Sequence, residues 1–123
     1  FAVKLTGKGG HGAEPHSTID PVVAAAHIVT ALQTIVSRNV SPLKPAVVSV
    51  TSIQAGTAFN VIPQTAEILG TIRNFDPEVR LLVLKRFEEI VRGVAESMQC
   101  EAEITLKQVT PIVINEDEYP KRY

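Results

Sequence analysis

The chain has 123 residues, 45% of them hydrophobic, and its 12 basic and 13 acidic side chains leave a formal net charge of −1. That length suits one domain around one core, and the charge balance lacks the basic excess on which nonspecific nucleic-acid binding depends, so no nucleic-acid partner is expected. The single cysteine, Cys100, excludes an internal disulfide and fits a reducing compartment, the cytoplasm. The longest unbroken apolar run, Val22 to Ala26, is far short of the roughly 20 residues of a membrane span. No secretory signal is legible, and no membrane partner is expected.

In chain order, Phe1, Val3 and Leu5 alternate with Ala2, Lys4 and Thr6, which predicts a half-buried strand. A loop follows from Gly7 to His16, where Gly7, Gly9, Gly10 and Gly12 allow backbone conformations that a side chain would forbid. Asp20 before Pro21 is an N-cap followed by a first-turn proline. A helix is therefore predicted over 20–38, ended by Asn39 and Pro42. The Val, Ile and Thr content of 46–55 predicts a strand, Gly56 to Asn60 a turn, and Thr65 to Phe75 a further strand with Ala66, Ile68, Gly70 and Ile72 on one face. Asp76-Pro77 opens a second helix, to about Ser97 or Met98, and Ala102, Ile104 and Leu106 mark the last strand.

The order β-α-β-β-α-β predicts an α+β, ferredoxin-like fold, a four-stranded antiparallel sheet with two helices on one face. The other face, with Lys4, Thr6, Glu67, Thr71, Arg73, Glu103, Thr105 and Lys107, reads as polar and open to water or a ligand. At about 100° per residue, the apolar residues of the second helix fit one sheet contact. The first helix carries two stripes, Val22, Ala25, Ala26, Val29, Leu32 and Val36 beside Ala24, Ile28, Ala31 and Ile35. Together they are wider than one sheet can bury, so a second partner is expected, with Ile28 and Ile35 on the stripe at risk of exposure. The strand 46–55 falls at a sheet edge beside this helix, with no Pro, Lys or bulge-forming Gly to guard it. Pairing with an identical copy through helix 20–38 and strand 46–55 is the favoured expectation, and cover by another domain of a longer parent is the alternative.

His11, His16 and His27 match no zinc spacing, and neither a Ser-His-Asp arrangement nor a Walker loop is legible. His27 reads as solvated. His11 among glycines, Asn60 before Val61-Ile62-Pro63, and Arg73 on the polar sheet face each admit a bland account. Together they could offer an imidazole, an amide and a guanidinium to one anionic or carbonyl-bearing ligand.

The segments Gly7-Lys8-Gly9-Gly10-His11-Gly12-Ala13, Asp20-Pro21-Val22-Val23-Ala24-Ala25-Ala26, Gly56-Thr57-Ala58-Phe59-Asn60-Val61-Ile62-Pro63 and Gly70-Thr71-Ile72-Arg73-Asn74-Phe75-Asp76 are similar to a known pattern. The chain resembles the dimerisation (lid) domain of metallopeptidase family 20 zinc amidohydrolases, of the hippurate hydrolase, N-acyl-amino-acid amidohydrolase and auxin-conjugate hydrolase type. The resemblance implies a lid inserted into a catalytic domain that carries two zinc ions, with no metal ligand supplied by this chain. It further implies that His11 stabilises an oxyanion in the partner subunit's active site. Asn60 and Arg73 are implied to hold the carboxylate of a small N-acyl amino acid or peptide substrate; His16 matches a motif position without an assigned role. Residues 1–110 are then the lid, and 111–123 a linker returning to the catalytic domain or a disordered tail. Both ends look cut from a longer chain, and the lid alone is expected to be inactive. The rival reading is a non-enzymatic ferredoxin-like regulatory or oligomerisation module that binds a small anion.

Overall fold

The computed structural model describes residues 1–107. The boundary at 110 and the proposed linker or tail 111–123 lie outside the described residues. The elements are β1 (Ala2–Thr6), β2 (Gly10–His11), α1 (Pro21–Thr34), β3 (Ala46–Ala55), β4 (Val61–Ile62), β5 (Thr65–Asn74), α2 (Pro77–Ser97) and β6 (Glu101–Thr105). The main sheet has the order β3-β5-β1-β6, every neighbour antiparallel, and β2 with β4 forms a separate two-stranded ribbon. This is the expected ferredoxin-like arrangement. The ribbon is an addition: Gly10–His11 falls inside the predicted loop, and Val61–Ile62 in a stretch to which the sequence assigned no element.

Each helix starts where a carboxylate meets its free N–H groups. Asp20 accepts from the amides of Val22 (2.8 Å) and Val23 (3.4 Å), and Pro21 gives up an N–H that the first turn cannot use. Asp76 does the same for Glu78 and Val79 at 2.8 and 3.3 Å. The Lys44 ammonium, 2.8 Å from Asp76, then the two amides, hold the Asp76 carboxyl below its usual range. Asp20→Ala is expected to cost about 1 kcal/mol, read as a lower urea midpoint with an unchanged slope; an unchanged midpoint would deny the cap its role.

The core lies between the sheet and the helices. Val3, Leu5, Ile68, Ile28, Leu32, Ile35, Val83, Phe87 and Val91 are fully enclosed. Phe1 packs on Phe87 with ring centroids 4.7 Å apart. Gly70 is required beneath them, because a Cβ there would strike both the Phe1 ring and the Ser49 carbonyl oxygen.

Three expectations need correcting. The first helix has the predicted excess of apolar surface, but the buried face straddles the two stripes, and Ile28 and Ile35 are not the residues left exposed. Ala24, Ile28 and Ile35 of the second stripe are buried together with Ala25 and Leu32 of the first, while Val22 and Val36 are 41% and 38% exposed. Of the valines outside this face, Val29 lines a groove beside β3. Helix α1 also ends in a π turn, Ile35–Asn39, closed by the Val40 amide on the Ile35 carbonyl at 3.0 Å. With that turn, Pro21–Asn39 is 19 residues long and apolar enough on average to cross a membrane, which the short unbroken run did not reveal; its two apolar stripes account for that composition.

Secondly, β3 is not a regular edge. Its register against β5 shifts between Val50 and Ser52, leaving Thr51 as a bulge made without glycine. Thirdly, the glycines of the first loop are not there for left-handed backbone: among the described residues only Gly56 and Gln99 have positive φ. They are there for close approach.

Candidate functional site

After β1 the chain is pinned against the approach to β5. The Gly7 amide donates to the Gln64 carbonyl at 2.8 Å, and the Gly9 amide to the Gln64 side-chain oxygen at 2.9 Å. A Cβ on Gly9 would lie 2.6 Å from the Ile62 carbonyl oxygen, so only glycine lets these strands come so near. The ribbon then pairs Gly10 with Ile62 and His11 with Val61. One step further, the Gly12 amide donates to the Asn60 carbonyl at 2.8 Å. His11 and Asn60 are thereby held one residue apart across a short ribbon, both exposed.

The His11 ring is itself held. Its Nδ1 accepts the backbone N–H of Ala13 at 3.0 Å, and its carbonyl accepts the amide of Glu14 at 3.0 Å. At the tip of the adjoining turn, Phe59 is 103% exposed, beside Asn60. The Ala13 amide could not be read from sequence, since any non-proline residue supplies one. Phe59 had a signal, an aromatic in a glycine-opened turn.

Arg73 is elsewhere. It stands on β5 opposite Val47 of β3, exposed and on the polar face. Among the described residues no hydrogen bond or ion pair engages it. Eight residues of strand separate it from Thr65, about 27 Å at 3.3–3.4 Å each, and the ribbon lies beyond Thr65. One copy therefore brings His11 and Asn60 together and leaves Arg73 at the far end of the sheet. His16 is exposed in a short 3₁₀ turn, Pro15–Ser17. His27 Nδ1 is 2.9 Å from the Val23 carbonyl of its own helix, an occupied and solvated side chain. Among the described residues no group of three or more His, Cys, Asp or Glu could hold a metal ion. Cys100 is buried, which pushes its thiol pKa up.

At the edge of the sheet a groove runs between α1 and β3, lined by Val29, Gln33, Val48, Val50, Ser52 and Ile53. Above it, Val22, Ala26, Val29, Gln33 and Val36 follow one another at spacings of four, three, four and three. That repeat gives a helix a seam for another helix.

Residues 1–99 match the family described as the peptidase dimerisation domain of M20 peptidases. The chain is 47% identical, over 123 residues, to an N-acyl-L-amino acid amidohydrolase of Geobacillus stearothermophilus, covering 100% of this chain and 33% of that protein. It is 51% identical over 108 residues to an N-acetyldiaminopimelate deacetylase of Streptococcus gordonii, 86% of this chain and 29% of that one. The chain thus spans about a third of the length of these relatives. Among solved structures, a chain from methicillin-resistant Staphylococcus aureus superposes with a TM-score of 0.80 at 35% identity, over 83% of this chain and 26% of that one. A dinuclear metal binding peptidase of the M20 family from Bacillus subtilis does so with a TM-score of 0.59, also at 35% identity, over 83% and 23%. With the fold and this match in agreement, the chain belongs to the M20 peptidase dimerisation domain family.

Proposed function

We propose that this chain is the self-associating, substrate-binding lid of a metal-dependent amidohydrolase that cleaves N-acyl amino acids. The relatives' names supply the substrate class, and one structural observation carries the rest: His11 with Asn60, and Arg73, occupy opposite ends of one sheet whose β3 edge is open. Pairing β3 with its own copy about a two-fold axis runs the two strands antiparallel. Residue 55 of one copy then lies alongside residue 46 of the other. The ribbon end of one sheet meets the Arg73 end of its partner, with the two β5 strands separated by three strand spacings, about 14 Å. The α1 seams meet on the helix side, burying Val22, Val29 and Val36.

Each reaction site would then combine His11 and Asn60 of one copy with Arg73 of the partner subunit. The guanidinium suits bidentate capture of the substrate carboxylate, Asn60 adds an amide donor, and the imidazole donates to the amide oxygen as it gains negative charge. Zinc is the metal that the resemblance implies. The described residues offer it no ligand set, so its ligands would belong to the rest of the parent and no step on this chain runs through it.

Mixing subunits of the full-length parent tests this arrangement. His11→Ala and Arg73→Ala homodimers are each expected to be severely impaired. A mixed dimer of the two keeps both groups intact at one of its sites and loses both at the other, so mixing should restore activity. If one copy supplied both groups to the same site, every site of the mixed dimer would lack one, and activity would stay low.

A further inference from the structure

We propose that the backbone amide of Ala13 locks His11 in the tautomer that carries its proton on Nε2, making the ring a permanent hydrogen-bond donor to the substrate and not a base. The purpose assigned to the donor rests on the reading above; the lock itself rests on geometry alone. A neutral imidazole has one N–H and one lone pair, and the two nitrogens cannot both accept. The Ala13 N–H, 3.0 Å from Nδ1, is a donor with no acceptor capacity, so Nδ1 must present its lone pair and Nε2 must hold the proton.

The chain contains its own contrast. His27 Nδ1 lies 2.9 Å from the Val23 carbonyl oxygen, which can only accept, so that ring must carry its proton on Nδ1. Two histidines in one small domain are thus set in opposite tautomers by opposite backbone partners. His16, exposed and with no hydrogen bond to its ring among the described residues, is the free reference.

The consequence at a reacting carbonyl is direct. An oxyanion is stabilised by N–H groups fixed where charge develops, and the alternative tautomer would aim a lone pair at it instead. The Gly12-Ala13 step positions this donor. Gly12 ties the strand to Asn60 through its own amide, and Ala13 turns back to hold the ring. Ala13 is a positioning residue, acting through His11.

Long-range proton–nitrogen correlation NMR on the ¹⁵N-labelled 123-residue chain, at about two pH units above the ordinary histidine range near 6.5, reads all three rings at once. The expected spectrum has His11 at the limit of an unprotonated Nδ1 and a protonated Nε2, His27 at the opposite limit, and His16 averaged between. An averaged His11 matching His16, or a protonated Nδ1 on His11, overturns the lock. Ala13→Pro, which removes the amide hydrogen, should move the His11 signals towards those of His16 while His27 stays put. Unmoved His11 signals in a variant whose His27 pattern is intact also overturn it. In the full-length parent the same variant should lower kcat with little change in KM. A locked His11 in a parent whose turnover ignores His11→Ala would uphold the tautomer and refute only the catalytic reading.

Discussion

Replacing His11 with alanine in the full-length parent should lower kcat by about 10²–10³-fold, equivalent to about 2.7–4 kcal/mol of lost transition-state stabilisation. KM should move much less, because in the proposed arrangement Arg73 and Asn60, not His11, would hold the substrate carboxylate. His11 and its ribbon lie beyond the Ala55 end of β3 and outside the α1 seam, so the dimer itself should survive. His11→Gln, which keeps an N–H donor on a side chain of different reach, should recover part of the loss. Steady-state kinetics on the three proteins, with sedimentation to confirm that all remain dimers, decides the matter. Turnover like the unaltered enzyme's in the alanine variant would remove the imidazole from the reaction, and equal losses in kcat and in dimerisation would make its role structural.

The second large effect concerns stability. Phe87 is fully enclosed and lies 4.7 Å, ring to ring, from Phe1, whose own ring lies over Gly70. Phe87→Ala should destabilise the fold by about 3–5 kcal/mol, the usual cost of emptying a fully buried aromatic site. For a domain of this size that is a fall of roughly 10–20 °C in Tm, out of a total stability that for most domains is only about 5–15 kcal/mol. Phe87→Leu, which keeps much of the volume, should cost far less. Equal melting of the alanine and leucine variants would contradict this account of the core.

Much of the fold was legible because its signals are local. Alternation in Ala2–Thr6 and Thr65–Asn74, and the two Asp-Pro steps, depend on neighbours in sequence, so element order and helix starts followed. The buried face of α1, which straddles both stripes, was not legible for the opposite reason. Periodicity shows that the apolar arc is wide, but which part of it is buried is decided by where the sheet and α2 lie. The Thr51 bulge escaped because it needed no glycine, and the β2–β4 ribbon because two residues are too few to alternate. In the candidate site, the residue types of His11, Asn60 and Arg73 could be singled out. Their separation to opposite ends of the sheet could not, since His11 and Arg73 are set apart only once β5 is seen to carry Arg73 away from the ribbon.

The two borders of the sheet are also unlike each other. β6 is five residues long, carries Glu101 and Glu103, and has its Ala102 carbonyl already engaged by the Arg92 guanidinium at 3.2 Å. Charge and an occupied carbonyl disfavour a further strand there, whereas on β3 only the Thr51 bulge interrupts the edge. A sheet with a single receptive side can add one mate and then has nothing left to offer. Two-fold pairing through such a side, as proposed above, would close on itself as a pair rather than grow.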